Sequence, residues 1–530
     1  MATTTTGTTT KKRAAKKPVQ PLFEAPEWGF DTLKHMHDAI EEVAVGEMGL
    51  DVYPNQIEVI TSEQMLDAYS SIGMPLMYRH WSFGKHFAHD EAMYRKGAQG
   101  LAYELVINSN PCISYVMEEN SNTMQALVIA HAGFGHNHFF KNNYLFQHWT
   151  DADGILDYLA FAKRYVARCE DQFGIDAVEA ILDAGHALMK HGINRYARPG
   201  KPNLAAERVR QQERTAYLES TYNDLWRTLP GDQRHKPVDE EISELAEKRG
   251  GERRALGLPE ENLLYFLEKN APKLEVWQRE LLRIVRNIGQ YFYPQKQTKV
   301  MNEGCATYVH YQIMTRLYER GALTEGAMLE FLRSHTAVVF QPGYDDPRYG
   351  GLNPYALGFA MMCDIQRICE EPTDEDRDWF PAIAGNGDAL GTLKDAWAHY
   401  RDESFILQFL SPKVIRDFRL FAVFDNSEDP AMMVEAIHDR RGYEKIRRQL
   451  ARQYDIARFE PEIQITDVDL KGNRRLILTH NVHDGRLLQK ADCDAVLMHL
   501  AQIWGYGVKL LEVDAESGRT LRKHTAVPLP

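Results

Sequence analysis

The stretch HAGFGHNHFFKNNYLF, residues 131–146, combines residues that an ordinary helix does not need. Three histidines, His131, His136 and His138, fall within eight residues, and Gly133 and Gly135 separate the first two. Histidine is the side chain that most often binds metal ions in proteins. The stretch therefore predicts either a polar site set in an apolar wall or a hydrogen-bonded corner that holds the fold together.

The spacing of these histidines does not suit a metal site on one straight α-helix. His131 and His136 are five residues apart, which places them about 140° apart around the axis at roughly 100° per residue. Gly133 and Gly135 would let the helix break between them. The HExxH motif of zinc-binding helices does not occur in the chain. A metal site would therefore need such a break, or ligands from another part of the chain.

A second polar group lies on a helix predicted in the second half of the chain. Glu303 and His310 are seven residues apart, so they share one face of that helix, with Thr307 between them. The rest of the helix is largely apolar, and buried polar groups need partners because an unpaired buried charge is costly. We therefore expect two distant helix ends to meet. The predicted cluster consists of His131, His136, Glu303 and His310.

Three kinds of site fit such a cluster. It can hold zinc or another divalent metal, form a buried hydrogen-bond network without metal, or line a metal-free binding pocket. Other histidines, such as His186 and His335, are expected to be ordinary helix residues. Nucleotide hydrolysis is not expected, because no P-loop sequence occurs and Gly133-Phe134-Gly135 is too short for a dinucleotide fingerprint.

Hydrophobic periodicity divides the chain into a helical body and a smaller mixed region. Residues 1–27 are threonine-rich, then basic, and predict a disordered tail. Residues 28–456 show mainly helical spacing, with a charged loop or linker at about 230–258. Residues 457–530 alternate as strands around one helix. The predicted fold is mainly α, a large multi-helix N-terminal body with a small C-terminal α+β domain.

The composition argues against two classes of protein, nucleic-acid binders and membrane-spanning proteins, and indicates a cellular location. The net charge of −13 argues against a dedicated nucleic-acid binder, which usually presents a basic face. No run of 18 apolar residues occurs, so no membrane span is expected. The six cysteines are scattered without a CxxC pair, which is typical of a reducing compartment. The predicted location is the cytoplasm.

Four long segments carry a family resemblance: YELVINSNPCISYVMEEN, VIAHAGFGHNHFFKNNYLF, WQRELLRIVRNIGQYFYPQ and VMNEGCATYVHY. Together they resemble the SpoVR family, stage V sporulation protein R and its homologues in non-sporulating bacteria, from about residue 28 to the end. The resemblance implies a link to spore cortex formation in spore formers. Elsewhere it implies stress and stationary-phase signalling, with a PrkA-type serine protein kinase and a YhbH-type protein as partners.

A shorter likeness bears on mechanism. The segment MNEGCATY, residues 301–308, looks like the NEG helix of gluzincin aminopeptidases, whose glutamate is the third zinc ligand. The likeness implies that Glu303 is a ligand and that His131 and His136 replace the HExxH pair. No glutamate follows His131, so the general base must come from elsewhere, and the candidate catalytic carboxylates are Glu104 and Glu119, with Glu118 beside the latter.

Two functions remain open at this point. One is a metal-dependent hydrolase that acts on a peptide or cell-wall precursor bond through the histidine–glutamate site. The other is a non-catalytic adaptor in a complex with the kinase and the YhbH-type protein, in which the polar cluster is structural.

Overall fold

The computed structural model describes residues 20–70, 74, 77–95, 104–195, 256–343, 346–420, 422–424, 433–435, 439–456, 460–470, 472–483 and 485–528. Most of the tail predicted at residues 1–27 lies outside the described residues. The same holds for the loop or linker predicted at about 230–258, of which only the last three residues are described.

Helices dominate the described chain. The helices are α1 (Phe30–Glu41), α2 (Ser62–Ser70), α3 (Trp81–Arg95), α4 (Asn122–Val128), α5 (Asn137–Asn142), α6 (Tyr144–Trp149), α7 (Ile155–Phe173), α8 (Ile175–Leu188), α9 (Leu263–Asn270), α10 (Val276–Gln297), α11 (Lys299–Glu319), α12 (Glu325–Val338), α13 (Pro354–Glu370), α14 (Asp374–Trp379), α15 (Ala389–His399), α16 (Asp402–Phe409), α17 (Pro412–Asp417), α18 (Arg440–Gln453) and α19 (Lys490–Trp504). Two π-helical segments, Glu42–Glu47 and Ile129–His136, and a short 3₁₀ turn, Met189–His191, extend α1, α4 and α8.

The strands are fewer and shorter. They are β1 (Asn55–Ile60), β2 (Glu104–Ile107), β3 (Cys112–Met117), β4 (Ala422–Phe424), β5 (Met433–Glu435), β6 (Glu462–Val468), β7 (Leu476–Val482), β8 (Val508–Asp514) and β9 (Thr520–Ala526). The chain divides into two compact units. The first comprises Met1–Met65, Leu101–Lys141 and Asn302–Gln366, and the second comprises Leu66–Gly100, Asn142–Met301 and Arg367–Pro530.

The core of the first unit is the continuous helical run that contains the histidine-rich stretch. Ser121 caps its start, since its side-chain oxygen accepts a hydrogen bond from the Met124 N–H. Every residue from 122 to 140 is buried. A helix buried on all sides must satisfy its polar side chains inside the protein. The histidines of this run therefore need partners from neighbouring elements.

A three-stranded sheet supplies one wall around this helical run. Its strand order is β1-β3-β2, with β1 parallel and β2 antiparallel to the central β3. Strands β2 and β3 pack against the π-helical segment Ile129–His136. Glu104, the first residue of β2, pairs with Val116 of β3. The sheet thereby holds the Glu104 carboxyl group beside the π-helical segment.

Helix α11 also packs against this helical run, and glycines let it approach closely. A Cβ atom added at Gly135 would lie 2.5 Å from the Ala306 Cα. On the other side of α11, a Cβ atom at Gly304 would lie 2.7 Å from the backbone of Gly358 in α13. No other residue has a side chain small enough for these two contacts. Gly135 and Gly304 therefore fix how near α11 lies to its two neighbours.

The second unit contains helices α7, α8 and α10, which pack on one another, and the C-terminal sheet β6-β7-β8-β9. In this sheet β6 and β7 are antiparallel, β7 and β8 are parallel, and β8 and β9 are antiparallel. Helix α19 makes the crossover between the parallel strands, as a parallel connection requires. The predicted fold, mainly α with a small C-terminal α+β region, is confirmed, whereas the exact domain limits stay predictions. Within the described chain, no helix combines the length and the apolarity needed to cross a membrane.

Candidate metal centre

A π-helical turn brings the first two histidines together. In a π-helix the hydrogen bonds run between residues five apart, so such residues lie above one another. The Asn137 N–H accordingly donates to the Ala132 carbonyl, and the His131 and His136 ring centroids are 4.7 Å apart with nearly perpendicular planes. The helix break that Gly133 and Gly135 would permit does not occur. The helix widens instead, and the two rings reach the same side.

Two carboxylates meet these imidazoles, one from α11 and one from β2. Glu303 Oε2 lies 3.6 Å from His136 Nε2 and 4.0 Å from His131 Nε2. Glu104 Oε1 lies 3.5 Å from His131 Nε2. One donor atom from each of Glu104, His131 and His136 falls within 4.8 Å of the other two. The structure thus brings the two predicted segments together, although the first is the middle of a continuous helical run and not a helix end, and it places the candidate carboxylate Glu104 beside them.

Asn302 fixes the ring of His136. The side-chain oxygen of Asn302 lies 2.9 Å from His136 Nδ1. Because an amide oxygen only accepts, His136 donates from Nδ1, and in the neutral ring Nε2 keeps its lone pair. That lone pair faces Glu303. A partner on the far nitrogen is the usual support of a metal-binding histidine.

His310, which was predicted to be a direct ligand, contacts His131 on the nitrogen that faces away from the carboxylates. Its Nδ1 lies 2.9 Å from His131 Nδ1, and its Nε2 lies 2.9 Å from His335 Nδ1. Both nitrogens are therefore engaged away from the carboxylates. His310 thus contacts the nitrogen of His131 that lies opposite Nε2, as Asn302 does at His136.

His335, which was expected to be a satisfied helix residue and not a ligand, ends this chain of three imidazoles. It is 5% exposed, and the rings of Phe331, Tyr311 and Phe359 surround it. No sequence motif singles it out, because it lies on α12, a separate helix. Only the packing of α12 against α11 brings it to His310.

Burial controls the charges of the cluster. Burial, together with the nearby Glu303 carboxylate, raises the pKa of Glu104 to about 8. Burial and the neighbouring imidazoles of His136 and His310 hold the pKa of His131 well below its usual value. Burial also lowers the pKa of His310, and that of His335 to about 4. These three imidazoles are therefore neutral at pH 7, as metal ligands and their supports must be.

The second predicted carboxylate, Glu119, does not join the cluster. It lies exposed in the turn after β3, and its side chain accepts a hydrogen bond from the Ser62 N–H. Glu118 is exposed in the same turn. Of the candidate bases, Glu104 alone contacts the histidines within the described residues.

The second half of the histidine-rich stretch has a structural role. Asn137 accepts a hydrogen bond from the Tyr53 N–H and donates to the Tyr53 carbonyl. His138 lies within hydrogen-bond distance of the Asp51 backbone, and Lys141 pairs with the Asp51 carboxylate. Both interpretations of the stretch therefore hold, in successive halves. Residues 131–136 form a polar site, and residues 137–141 form a hydrogen-bonded corner with the loop before β1.

Comparison with known proteins gives matches along nearly the whole chain. The family model described as SpoVR like protein matches residues 27–459, and the model described as SpoVR-like C-terminal domain matches residues 461–515. A protein of Escherichia coli (strain K12), named Uncharacterized protein YcgB, is 55% identical over 502 residues, which cover 95% of this chain and 96% of that protein. No solved structure matches the chain significantly.

Proposed function

The chain belongs to the SpoVR family, and we propose that it is a metal-dependent hydrolase whose ion is held by His131, His136 and Glu303. The observation that carries this proposal is the convergence of two imidazole nitrogens and one carboxylate oxygen at one buried point. These atoms come from two segments far apart in sequence.

The distances between the donor atoms fit a zinc-like ion. Zinc–nitrogen and zinc–oxygen bonds of about 2.0–2.1 Å in a tetrahedron separate the ligand atoms by about 3.4 Å. The separations of 3.6 Å and 4.0 Å between Glu303 and the two histidines are slightly larger. Small side-chain movements close that difference. The arrangement therefore suits zinc or another divalent ion of similar size.

An unsatisfied atom points to the same site. Glu303 Oε2 is buried and accepts no hydrogen bond among the described residues. A buried carboxylate oxygen without a partner is strongly unfavourable. A cation bound between Glu303 and the two histidine Nε2 atoms would satisfy it.

This ligand set matches the catalytic type of zinc site. Two histidines and one glutamate leave the fourth position open for water, whereas structural zinc sites use four protein ligands. A divalent ion in such a site lowers the pKa of its bound water and thereby supplies a nucleophile near neutral pH. The protein's part is to hold the ligands, and Asn302 and His310 do so from behind.

Glu104 is the proposed general base. It approaches His131 from β2, on a different element from Glu303, and replaces the glutamate missing after His131. Its pKa of about 8 in the metal-free protein means that it carries a proton at neutral pH. A bound cation would lower this pKa, and the ionised carboxylate could then accept a proton from water. A base that comes from a strand is not visible in any helical motif.

Metal analysis tests this proposal. We expect the purified wild-type protein to contain one divalent ion per chain and Glu303→Gln to lose it. Glu104→Gln should keep the ion, since Glu104 is the base and not a ligand. Glu319→Gln, an exposed substitution on the same helix, is the matched control. A wild-type protein that binds no zinc in dialysis, or a Glu303→Gln variant that binds it as tightly, would contradict the proposal.

The substrate class is proposed from the family's implied link to the spore cortex. We propose a peptide or cell-wall precursor bond as the target. Cell-wall peptides incubated with the metal-loaded protein should gain one water per cleavage by mass spectrometry, and Glu104→Gln should not produce this change. If the two proteins give the same products, Glu104 is not the base.

An adaptor role beside a PrkA-type serine protein kinase and a YhbH-type protein is a second proposal, supported by family membership alone. Co-purification with the kinase tests it, and the absence of any complex counts against it. Glu303→Gln separates the two proposals. If it loses metal but keeps the kinase, the two functions use different parts of the chain.

A further inference from the structure

The second unit contains a cavity that the proposed metal site does not use. Its volume is about 360 Å³, and it lies between the end of α8, the start of α9, strands β6 to β8, and α19. Its wall includes one leucine from each of α8, α9, β7, α19 and β8, namely Leu188, Leu263, Leu478, Leu497 and Leu510. The cavity therefore belongs to the region where the C-terminal sheet packs within its own unit.

The lining is aliphatic. Apart from His191, Gln489 and Asp492, the lining side chains are leucine, isoleucine, valine, proline and cysteine. None of the described lining residues is a phenylalanine, tyrosine or tryptophan. Rings that stack on a base or sugar are therefore missing from its wall, and so are the arginines and lysines that hold phosphate. The chemistry of the wall suits a saturated or unsaturated hydrocarbon chain.

The cavity is a pocket that is partly open to solvent, and its wall is apolar. Water gains little in an apolar void, whereas apolar molecules bind there. The volume also lies within the range of about 300–1,000 Å³ typical of ligand sites. A bound apolar molecule is therefore the expected occupant.

The polar residues show which end of a ligand faces solvent. Gln489 and Asp492 are exposed at the start of α19, and beside them Leu487 is 47% exposed. His191 also lines the cavity, from the turn after α8. Burial lowers the pKa of its ring to about 4, so it offers a hydrogen bond and no charge. The open rim therefore presents an amide and a carboxylate to the ligand's head group.

We propose that this cavity binds the hydrocarbon chain of a single-chain acyl lipid, whose head group remains at the rim beside Gln489 and Asp492. The carboxylate of Asp492 repels an anionic head group. A neutral monoacylglycerol therefore binds at least as tightly as the fatty acid of the same chain length. The site is independent of the proposed metal centre.

Calorimetric titration of the full chain with monoolein and with oleate, both below their aggregation concentrations, tests the proposal. We expect one molecule per chain to bind. Leu497→Trp fills the cavity and should weaken binding by about tenfold or more, the usual effect of a steric change in an apolar pocket. Leu407→Trp, at a partly exposed position on α16, is the matched control and should bind like the wild type.

A second variant distinguishes a blocked cavity from a misfolded chain. Val496→Phe occupies the cavity from a less buried position, and circular dichroism reports whether either variant keeps its helices. No binding by the wild type, or unchanged binding by a folded Val496→Phe, overturns the proposal. Binding to phosphatidylcholine vesicles without binding of the free lipids also overturns it, in favour of a membrane-docking surface. Glu303→Gln should bind the lipid normally, so failure of the metal proposal leaves this test intact.

Discussion

Replacing Gly135 by alanine should damage both the stability and the metal site, because this glycine sets the distance between the π-helical segment and α11. The new Cβ atom would lie 2.5 Å from the Ala306 Cα and 2.9 Å from its Cβ. Ordinary contacts at such positions are 3.4 Å or longer. The two elements must therefore separate by about 0.9 Å, and the nearest atom belongs to the backbone, which cannot rotate away.

Two opposing effects determine the size of the loss. Overpacking in a close-packed core costs about 1–3 kcal/mol, and a backbone clash belongs at the upper end of that range. Alanine also lowers the entropy of the unfolded chain, which raises the free energy of unfolding by about 0.4–1 kcal/mol. The expected net loss is about 2 kcal/mol in the free energy of unfolding. Because metal–ligand distances vary by only about 0.2 Å, the shift of His136 should also weaken zinc binding, by about a hundredfold.

Urea unfolding monitored by circular dichroism gives the stability, and competition with a chromophoric chelator gives the zinc affinity. Gly46→Ala is the matched control, because that glycine is exposed in the other π-helical segment and nothing lies within 4 Å of its added Cβ. We expect Gly46→Ala to be neutral or slightly stabilising. If Gly135→Ala is as stable as this control and binds zinc as the wild type does, the close contact with Ala306 does not position the site.

Other predictions follow from the same contacts. His310→Phe should lower zinc affinity by about 10–100-fold without changing the saturating stoichiometry, and an unchanged affinity would show that His310 does not orient His131. Metal-free wild type should lose stability relative to Glu104→Gln as the pH rises from about 5 to about 8. The reason is that folded Glu104, with a pKa of about 8, keeps a proton that the unfolded chain releases at lower pH. Equal changes in the free energy of unfolding of the two proteins across this range would contradict this prediction. Glu512→Gln should lower the free energy of unfolding by about 3 kcal/mol at pH 7. Buried Glu512 accepts hydrogen bonds from His524 and from the Leu488 N–H. Burial alone would raise its pKa, but these and its other hydrogen bonds hold the pKa at about 2. The loss is measured by urea unfolding, and it should shrink as the pH falls from about 4 towards 2.

The fold was predictable from the chain because its signals are local. Helical periodicity identified the body, and alternation identified β6 and β7, since each signal lies within a few consecutive residues. The meeting of residue 131 with residue 303 was predicted by another route. Polar side chains on two otherwise apolar helices need partners. The histidines of the first helix and Glu303 of the second are the most suitable partners for one another.

The remaining features of the site depend on packing that no local pattern encodes. Glu104 is one glutamate at the start of a strand, and His335 is one histidine on a helix. Glu104 was one of the candidate carboxylates, but no local pattern distinguished it from Glu119, and His335 has no neighbour in sequence that indicates a function. Glu104 reaches His131 only because β2 pairs with β3, and His335 reaches His310 only because α12 packs beside α11. The tertiary structure therefore decides which candidate carboxylate reaches the histidines and adds His335 to them.

The π-helical turn shows why the site and the fold cannot be separated in this stretch. An α-helical path from Ile129 to His136 would turn His136 about 140° away from His131, at roughly 100° per residue. It would also rotate every later residue, so Asn137 and His138 would leave the loop that carries Tyr53 and Asp51. π-helical turns are rare and occur often at functional sites. Here the hydrogen bonds of residues 137 and 138 to that loop hold the helix in the wide form, and the wide form aligns the two histidines. The corner therefore stabilises the geometry that the metal site requires.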